Sequence, residues 1–341
     1  MRINWVNKKE INWDRVKHYM EFSIKENQFS NDGPLQKMLS DRLRSILKIS
    51  SSKVVIPTCS GTAALHALVS GINNKLGVET RWATQDYTFP VSAQGVLRNS
   101  VIVDIDYNDI SPDLNSLEHI KDNINGVIVT NMFGFASEVE KFIKWSVDND
   151  KYLIFDSATA PYTFYNFLNI NNFGVGSIIS LHHTKPLGFG EGGVIIVDRE
   201  YEADVRKSIN FGYTKSIKKW SVHGSNWRMS DISAAFILQH LDNFYAIDHI
   251  HKELAKYFEN RLRETRFELI KPYDNSLISC LPIKSFKEEI DIKDVEYKKY
   301  YEPLIGFTNS NKLYEEIVCF PLNADMNNSD LDYIINYLKA K

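Results

Sequence analysis

The chain has 341 residues, 43% hydrophobic and 24% charged, with a formal net charge of −3. That is enough apolar material for one large core or two, and the charge balance lacks the basic excess of a nucleic-acid binder. Its three cysteines, Cys59, Cys280 and Cys319, lie far apart with no CxxC pair; they give neither a disulfide framework nor a zinc ribbon and point to a reducing cytoplasm.

The first twenty residues, MRINWVNKKEINWDRVKHYM, contain no apolar core of a secretory signal. No run approaches the roughly 18 to 20 apolar residues that cross a bilayer, so no membrane association is expected. Residues 13–28 read as a helix of mixed polarity, FSNDGP at 29–34 as a loop, and 35–48 as a second helix. VVIPTCSGTAALHALVSGI then runs from a short strand through Ser60-Gly61-Thr62 into an Ala/Leu-rich helix over 62–72. A strand, a glycine turn and a helix N-terminus bind anions, because free N–H groups and the helix dipole face one spot.

Further strands are predicted at 100–106, 126–133, 152–158, 177–181 and 193–198, with a helix at 137–150. Short β-branched runs without polar alternation suit strands buried on both faces of a mainly parallel sheet. The alternation with helices gives an α/β fold of two or three layers. Residues 231–264 read as one long helix, kinked or straight. The stretch 267–341 mixes short strands with a closing helix capped by Asn328 or Ser329. The expected division is a large domain over 1–239, with the N-terminal helical segment, and a small α+β domain over 240–341.

SIISLHHTKPLGFGEGGVIIVD, residues 177–198, carries the chemistry. Adjacent His182 and His183 in a strand would face opposite ways, and no carboxylate cluster accompanies them, so no metal site is expected. A Walker-type phosphate loop needs its lysine after the glycines, whereas Lys185 precedes them. The remaining reading is an amine nucleophile. A loop lysine alone is ordinarily a solvated charge, but this one has company. Asp156 ends the strand YLIFD at a sheet edge, where α/β folds bind ligands. Ser60-Gly61-Thr62 forms an anion cradle, and YTF at 87–89 offers an aromatic. Lysine, aspartate, cradle and aromatic plate are what pyridoxal 5′-phosphate requires: a Schiff-base amine, a partner for the ring nitrogen, a phosphate site and a stacking surface.

These motifs, in this order, resemble the DegT/DnrJ/EryC1/StrS family of pyridoxal-phosphate sugar aminotransferases, from about residue 28 to 240 and more weakly to the end. The resemblance implies the aspartate-aminotransferase (type I) fold, with a three-layer α/β/α large domain around a mostly parallel sheet. SGTAALHAL is similar to the family's phosphate segment, which gives Gly61 and Thr62 phosphate contacts. YTFPVSA puts Phe89 over the pyridine face. FDSATA makes Asp156 the ring-nitrogen partner and sets Thr159 where the family carries glutamine, near the phenolic oxygen. SLHHTKPLGFGEGG makes Ser180 a phosphate ligand and Lys185 the Schiff-base lysine. HGSNWRMSDISAA resembles the Gly-x-Asn-x-Arg-Met segment, so that Asn226 reaches the partner's cofactor phosphate and an obligate homodimer follows.

The resemblance further implies ping-pong transamination with L-glutamate as donor and a keto-sugar, nucleotide-linked in most of the family, as acceptor, in surface-glycan or amino-sugar biosynthesis. Alternatives are a small phosphorylated or unlinked keto-sugar, a dehydratase in which histidine replaces the lysine, or a non-catalytic regulator. His183 is a candidate for the substrate pocket, with packing as its competing role, as for His182. Arg228, Lys215, Lys218 and Lys219 are placed to meet substrate phosphates, though for Lys218 and Lys219 a solvated face is the default. Residues 270–315 lack the family's clear His/Lys-rich substrate segment.

Overall fold

The computed structural model describes residues 2–214, 218–285 and 287–341. The N-terminal helices are α1 (Trp13–Glu26) and α2 (Pro34–Ile46). Asn12 caps α1 by accepting the Arg15 N–H at 3.0 Å, and Asn27 ends it in the left-handed region at φ 48°. Pro34 opens α2, whose Leu35 and Gln36 N–H groups donate to the buried carboxylate of Asp231 at 3.0 and 3.3 Å.

Strand β1 (Lys53–Thr58) leads into α3 (Gly61–Leu76), followed by β2 (Trp82–Gln85), β3 (Val101–Val103), α4 (Leu114–Ile120), β4 (Gly126–Thr130), α5 (Val139–Asp148), β5 (Tyr152–Asp156), β6 (Gly176–Ser180), β7 (Gly193–Asp198) and α6 (Glu202–Ile209). These strands form one seven-stranded sheet in the order β1-β7-β6-β5-β4-β2-β3. Only β7 runs against its neighbours; the pairings from β6 through β5, β4 and β2 to β3 are all parallel. The strands are buried on both faces, yet each sorts its side chains by alternation. Ile128 and Ile154 pack with Leu65, Leu68 and Val205 of α3 and α6. Val127, Val129, Leu153 and Phe155 pack with Phe142 and Trp145 of α5 on the opposite face. This is the three-layer α/β/α arrangement of the type I fold.

The long helix expected over 231–264 is two helices, α7 (Asp231–Leu241) and α8 (Phe244–Leu262). The break falls at Asp242, whose carboxylate takes the Arg15 Nε at 2.8 Å, the Tyr19 hydroxyl at 2.8 Å and the Arg42 Nη1 at 3.1 Å. Pinning one side chain to both α1 and α2 there redirects the chain. Beyond it, β8 (Glu268–Leu269), β9 (Cys280–Lys284), α9 (Thr308–Glu316), β10 (Ile317–Pro321) and α10 (Asn328–Lys339) make an antiparallel sheet with helices. α8 is shared: Phe244 and Ile247 belong to the apolar cluster under β1, β6 and β7, while Leu254, Phe258 and Leu262 pack with β9, β10 and α10. The cap of α10 is Asn327, one residue before the expected Asn328, because only Asn327 completes the reciprocal pair with Asp330. No described helix is long and apolar enough to cross a membrane.

Candidate active site

The C-terminal ends of β5 and β6 and the N-terminus of α3 converge on one crevice. Ser60 caps α3, its Oγ accepting the Ala63 N–H at 3.1 Å. The N–H groups of Gly61 and Thr62 have no partner among the described residues, as the first turn of a helix leaves them. Gly61 lies against Ser180: a Cβ at position 61 would come 3.0 Å from the Ser180 Cβ and 3.2 Å from its Oγ. Gly193 is required for the same closeness, since a Cβ there would collide with the Ser60 carbonyl oxygen. Two free amides, the exposed hydroxyl of Thr62 and the nearby hydroxyl of Ser180 therefore gather at a positive helix end.

Asp156 closes β5 at 2% exposure. Its Oδ1 accepts the Ala158 N–H at 3.0 Å, while its second oxygen has no hydrogen-bond partner among the described residues. Burial pushes this carboxyl up to about 6, against the opposing pull of the Ala158 amide and the Lys185 charge. Burial lowers the Lys185 amine, helped by the Lys298 charge and opposed by Cys280 and Asp156. Each group thus feels the other's charge across the crevice.

Lys185 sits in a tight turn. Its N–H donates to the His182 carbonyl at 2.8 Å, and its carbonyl accepts the Gly188 N–H at 3.0 Å. Pro186 biases Lys185 away from helical backbone. Neither histidine shares the amine's surroundings by contact: the His182 ring meets Thr184 Oγ1 at 2.9 Å and Glu191 at 3.5 Å, and the exposed His183 ring stands edge-on to Phe189. Among the described residues no group of three or more metal-ligating side chains could hold an ion.

Thr159 is buried, its hydroxyl donating to the Asn131 carbonyl at 3.0 Å, so the oxygen remains free only to accept. Phe89 is 53% exposed and lies edge-on to Tyr301, 6.0 Å between centroids. Tyr301 was not foreseen from the sequence. It also stacks on Phe133 at 6.3 Å, and its phenol, held high by burial, feels the Asp156 charge. The segment around it is fastened to the end of β2: Asp86 accepts the N–H groups of Ile305, Gly306 and Phe307 at 2.7, 3.1 and 2.8 Å, and the Tyr87 hydroxyl donates to the Tyr300 carbonyl. Lys298 and Tyr301 thus come to the crevice from the very region that showed no family-like substrate segment. The only hint was the run Lys298-Lys299-Tyr300-Tyr301.

Arg228 pairs through its backbone with Thr58, two residues before Ser60, but its side chain and that of Asn226 take other partners. Arg228 donates through Nε to the Asn226 Oδ1 at 2.9 Å, through Nη1 to the Asn210 Oδ1 at 3.1 Å, and also to Asn31. Arg228 lines a surface cleft of about 740 Å³ with Asn31, Asp32, Arg206, Lys207 and Tyr213. Within one chain neither residue contacts Lys185 or Asp156. Lys218 and Lys219 are exposed, and Lys215 lies outside the described residues.

The crevice has the features of a pyridoxal-phosphate site, and the similarities of the whole chain agree. The profile of the DegT/DnrJ/EryC1/StrS aminotransferase family matches residues 12–289, and the chain belongs to that family. Among characterised relatives, dTDP-4-amino-4,6-dideoxy-D-glucose transaminase of Shigella dysenteriae is 22% identical over 352 residues, covering 94% of each chain. Among solved structures, DesI, crystallised in the presence of its TDP-sugar product, superposes with a TM-score of 0.86 at 18% identity over 99% of this chain and 92% of DesI. Spr1654 of Streptococcus pneumoniae, solved in its PLP form, gives 0.84 at 18% identity over 100% and 98%. The sequence-derived fold, family and pyridoxal-phosphate cofactor are therefore borne out.

Proposed function

We propose that the chain is a pyridoxal-phosphate aminotransferase that moves the amino group of L-glutamate to a keto-sugar carried on a nucleotide, in the building of an amino sugar. One observation supports this reading: the Lys185 amine and the buried Asp156 carboxyl lie close enough for each to feel the other's charge, at and just beyond the ends of paired strands that adjoin the Gly61–Ser180 contact, in a member of a sugar-aminotransferase family. The names of the Shigella transaminase and of DesI support a nucleotide-linked sugar.

The donor set fits the cofactor. The Gly61 and Thr62 amides, the Thr62 hydroxyl and Ser180 would hold its phosphate, Phe89 would cover its ring, and the free oxygen of Asp156 would meet its ring nitrogen. When bound, the cofactor supplies an electron sink for carbanion chemistry at the amino donor's Cα. Asp156 would hold a proton at the ring nitrogen, since a cation beside a buried carboxylate favours its charged form. Lys185 would be the attachment point and then the base, and burial, by lowering its affinity for a proton, favours that second role. Thr159 orients its oxygen as an acceptor only, so donation to a phenolic oxygen would require it to release Asn131. The histidines point to other partners, which favours transamination over histidine-based dehydration.

Asn226 and Arg228 serve a second copy of the chain in this reading. The Arg228 side chain bonds Asn226 and lies over the half-exposed ring of Phe211, 5.1 Å from its centroid. His183, exposed beside the Lys185 turn, is a substrate-side residue. In this reading residues 1–239 form the large domain and 240–341 the small one, although their apolar clusters interpenetrate: Phe133 and Phe135 pack with the C-terminal sheet, and Phe244 and Ile247 pack under the parallel one. Three free thiols suit a cytoplasmic compartment.

The test is a panel of keto-sugar nucleotides, unlinked keto-sugars and small keto-phosphates with ¹⁵N-labelled L-glutamate, read by mass spectrometry. Transfer of the label to a sugar nucleotide is expected. Consumption of glutamate without a labelled sugar product would overturn the reading. Lys185→Ala should abolish the visible absorption of lysine-bound cofactor; an unchanged band would remove the assignment of Lys185.

A further inference from the structure

The turn that presents Lys185 is gripped from outside by side chains that no part of the proposed chemistry employs. The Lys9 ammonium donates to the Lys185 carbonyl at 2.8 Å and also to the Gly188 carbonyl. His240, on α7, meets the Pro186 carbonyl through Nε2 at 2.9 Å. Three of the four carbonyls from 185 to 188 are therefore held by two side chains more than two hundred residues apart in sequence.

The lysine's own anchorage gives this grip a direction. Residues 2–8 are stitched to the C-terminal part of the molecule. Ile3 bridges Val295, with the Ile3 N–H on the Asp294 carbonyl at 2.8 Å and the Glu296 N–H on the Ile3 carbonyl at 2.9 Å. The Trp5 N–H donates to Glu296 at 2.7 Å, and the Lys8 N–H donates to Asp325 at 2.6 Å. Past Lys9, the Asn12 N–H returns to Gln239 of α7 at 3.0 Å. Lys9 thus stands where a strap bonded to residues 294–296 and Asp325 reaches the turn after β6.

Among the described residues no carboxylate pairs with the ammonium. The titratable groups that face it are His183 on the turn, His240 on α7 and His251 on α8. Burial keeps His240 and His251 neutral, each down at about 4, and burial draws Lys9 down to about 8. The ammonium is therefore satisfied by two uncharged carbonyl oxygens, those of Lys185 and Gly188, at the two ends of the amine-bearing turn. A charged donor on a carbonyl is worth about twice a neutral one, so this contact orders the turn more strongly than its own backbone hydrogen bonds do.

We infer that Lys9 is a positioning residue for Lys185, a clamp that ties the backbone of the amine-bearing turn to the C-terminal segments around 294–296 and Asp325. The inference rests on Lys185 being the cofactor-bearing amine. A shift of the turn would misplace Nζ relative to the proton it transfers, and a displacement of that size costs rate steeply.

The holoenzyme carrying Lys9→Met tests this, with Lys9→Arg as the conservative variant. The Met variant should keep the visible absorption band but change its circular dichroism, which reports how the bound cofactor is held. Bleaching of the band by an amino donor that bleaches the wild type should slow by about tenfold or more. Lys9→Arg, which restores a cation with several donors, should recover both. If Lys9→Met does not fold, Lys9→Gln, too short to span both carbonyls, carries the same expectation. Wild-type dichroism and bleaching in the truncated variant, or an Arg variant as slow as the Met one, would overturn the clamp alone. A wild-type protein with no visible band would take down the assignment of Lys185 as well.

Discussion

Gly61 and Ser180 touch: the first residue of α3 sits so close to the last residue of β6 that a single added carbon would lie 3.0 Å from the serine Cβ. This closeness shapes the floor of the proposed phosphate cradle and separates two effects that usually travel together. Alanine is the better helix former, favoured by up to about 1 kcal/mol over glycine. Gly61→Ala should therefore leave the melting temperature of the cofactor-free protein within a few degrees of wild type, while weakening cofactor affinity about tenfold or more through the displaced hydroxyl. Fluorescence titration with pyridoxal phosphate, beside a thermal melt, reads both. Unchanged affinity would show that the cradle tolerates the extra carbon.

Asp86 governs the segment that brings Tyr301 to the crevice. It is fully buried and accepts three consecutive backbone amides, from Ile305 to Phe307. Asp86→Ala would strand those amides, at a cost of about 3 kcal/mol or more given about 1–3 kcal/mol for each unmet buried donor. Urea unfolding should show the loss, and hydrogen exchange at 304–307 should accelerate. Wild-type exchange at those amides would refute the anchoring role.

Asp156 makes stability depend on pH with an unusual sign. Its carboxyl is raised from 3.8 to about 6 in the folded, cofactor-free protein. The folded state then binds the proton more tightly than the unfolded chain. Its contribution is full below about pH 4 and is lost as the pH rises through 6. The difference is about 3 kcal/mol at 1.36 kcal/mol per unit. Asp156→Asn should remove this slope, so wild type minus variant stability should fall between pH 4 and 7 in denaturant melts of cofactor-free protein. A flat difference would mean the carboxyl is not held in its neutral form.

Asn226 and Lys185, if they complete one site from two chains, can be separated between two inactive proteins. Asn226→Ala and Lys185→Ala should each be poorly active. Unfolded and refolded together, they should regain about a quarter of wild-type activity, since half of the dimers then hold one intact site. No recovery, or a stable active monomer in sedimentation, would contradict the shared site.

The sequence disclosed most where chemistry and burial agree. Val127, Ile128 and Val129, or Ile195, Ile196 and Val197, are β-branched runs that only a two-face-buried strand explains. Gly61, Asp156, Ser180 and Lys185 were legible because each sits at the end of such a run. β2 escaped notice because Thr84 and Gln85 are polar yet wholly buried; Gln85 satisfies itself by donating to the Tyr87 and Ile110 carbonyls and accepting the Thr130 N–H. The break at Asp242 is set by Arg15 and Arg42, some two hundred residues earlier, and no local pattern announces it. Tyr301, Lys298 and Lys9 were illegible for the same reason. Their relevance lies in which distant element they meet, and a lysine or tyrosine in a polar stretch reads as solvated until that neighbour is known.

The shared helix α8 has a mechanical meaning for the whole molecule. Nineteen residues long, it spans about 28 Å. It is rooted by Phe244 and Ile247 in one core and by Leu254, Phe258 and Leu262 in the other. A beam mortised into two walls cannot come loose from one without tearing at the second. Heating should accordingly give a single calorimetric peak, and a cavity cut at Phe258 should be felt by the parallel sheet almost as keenly as by the antiparallel one.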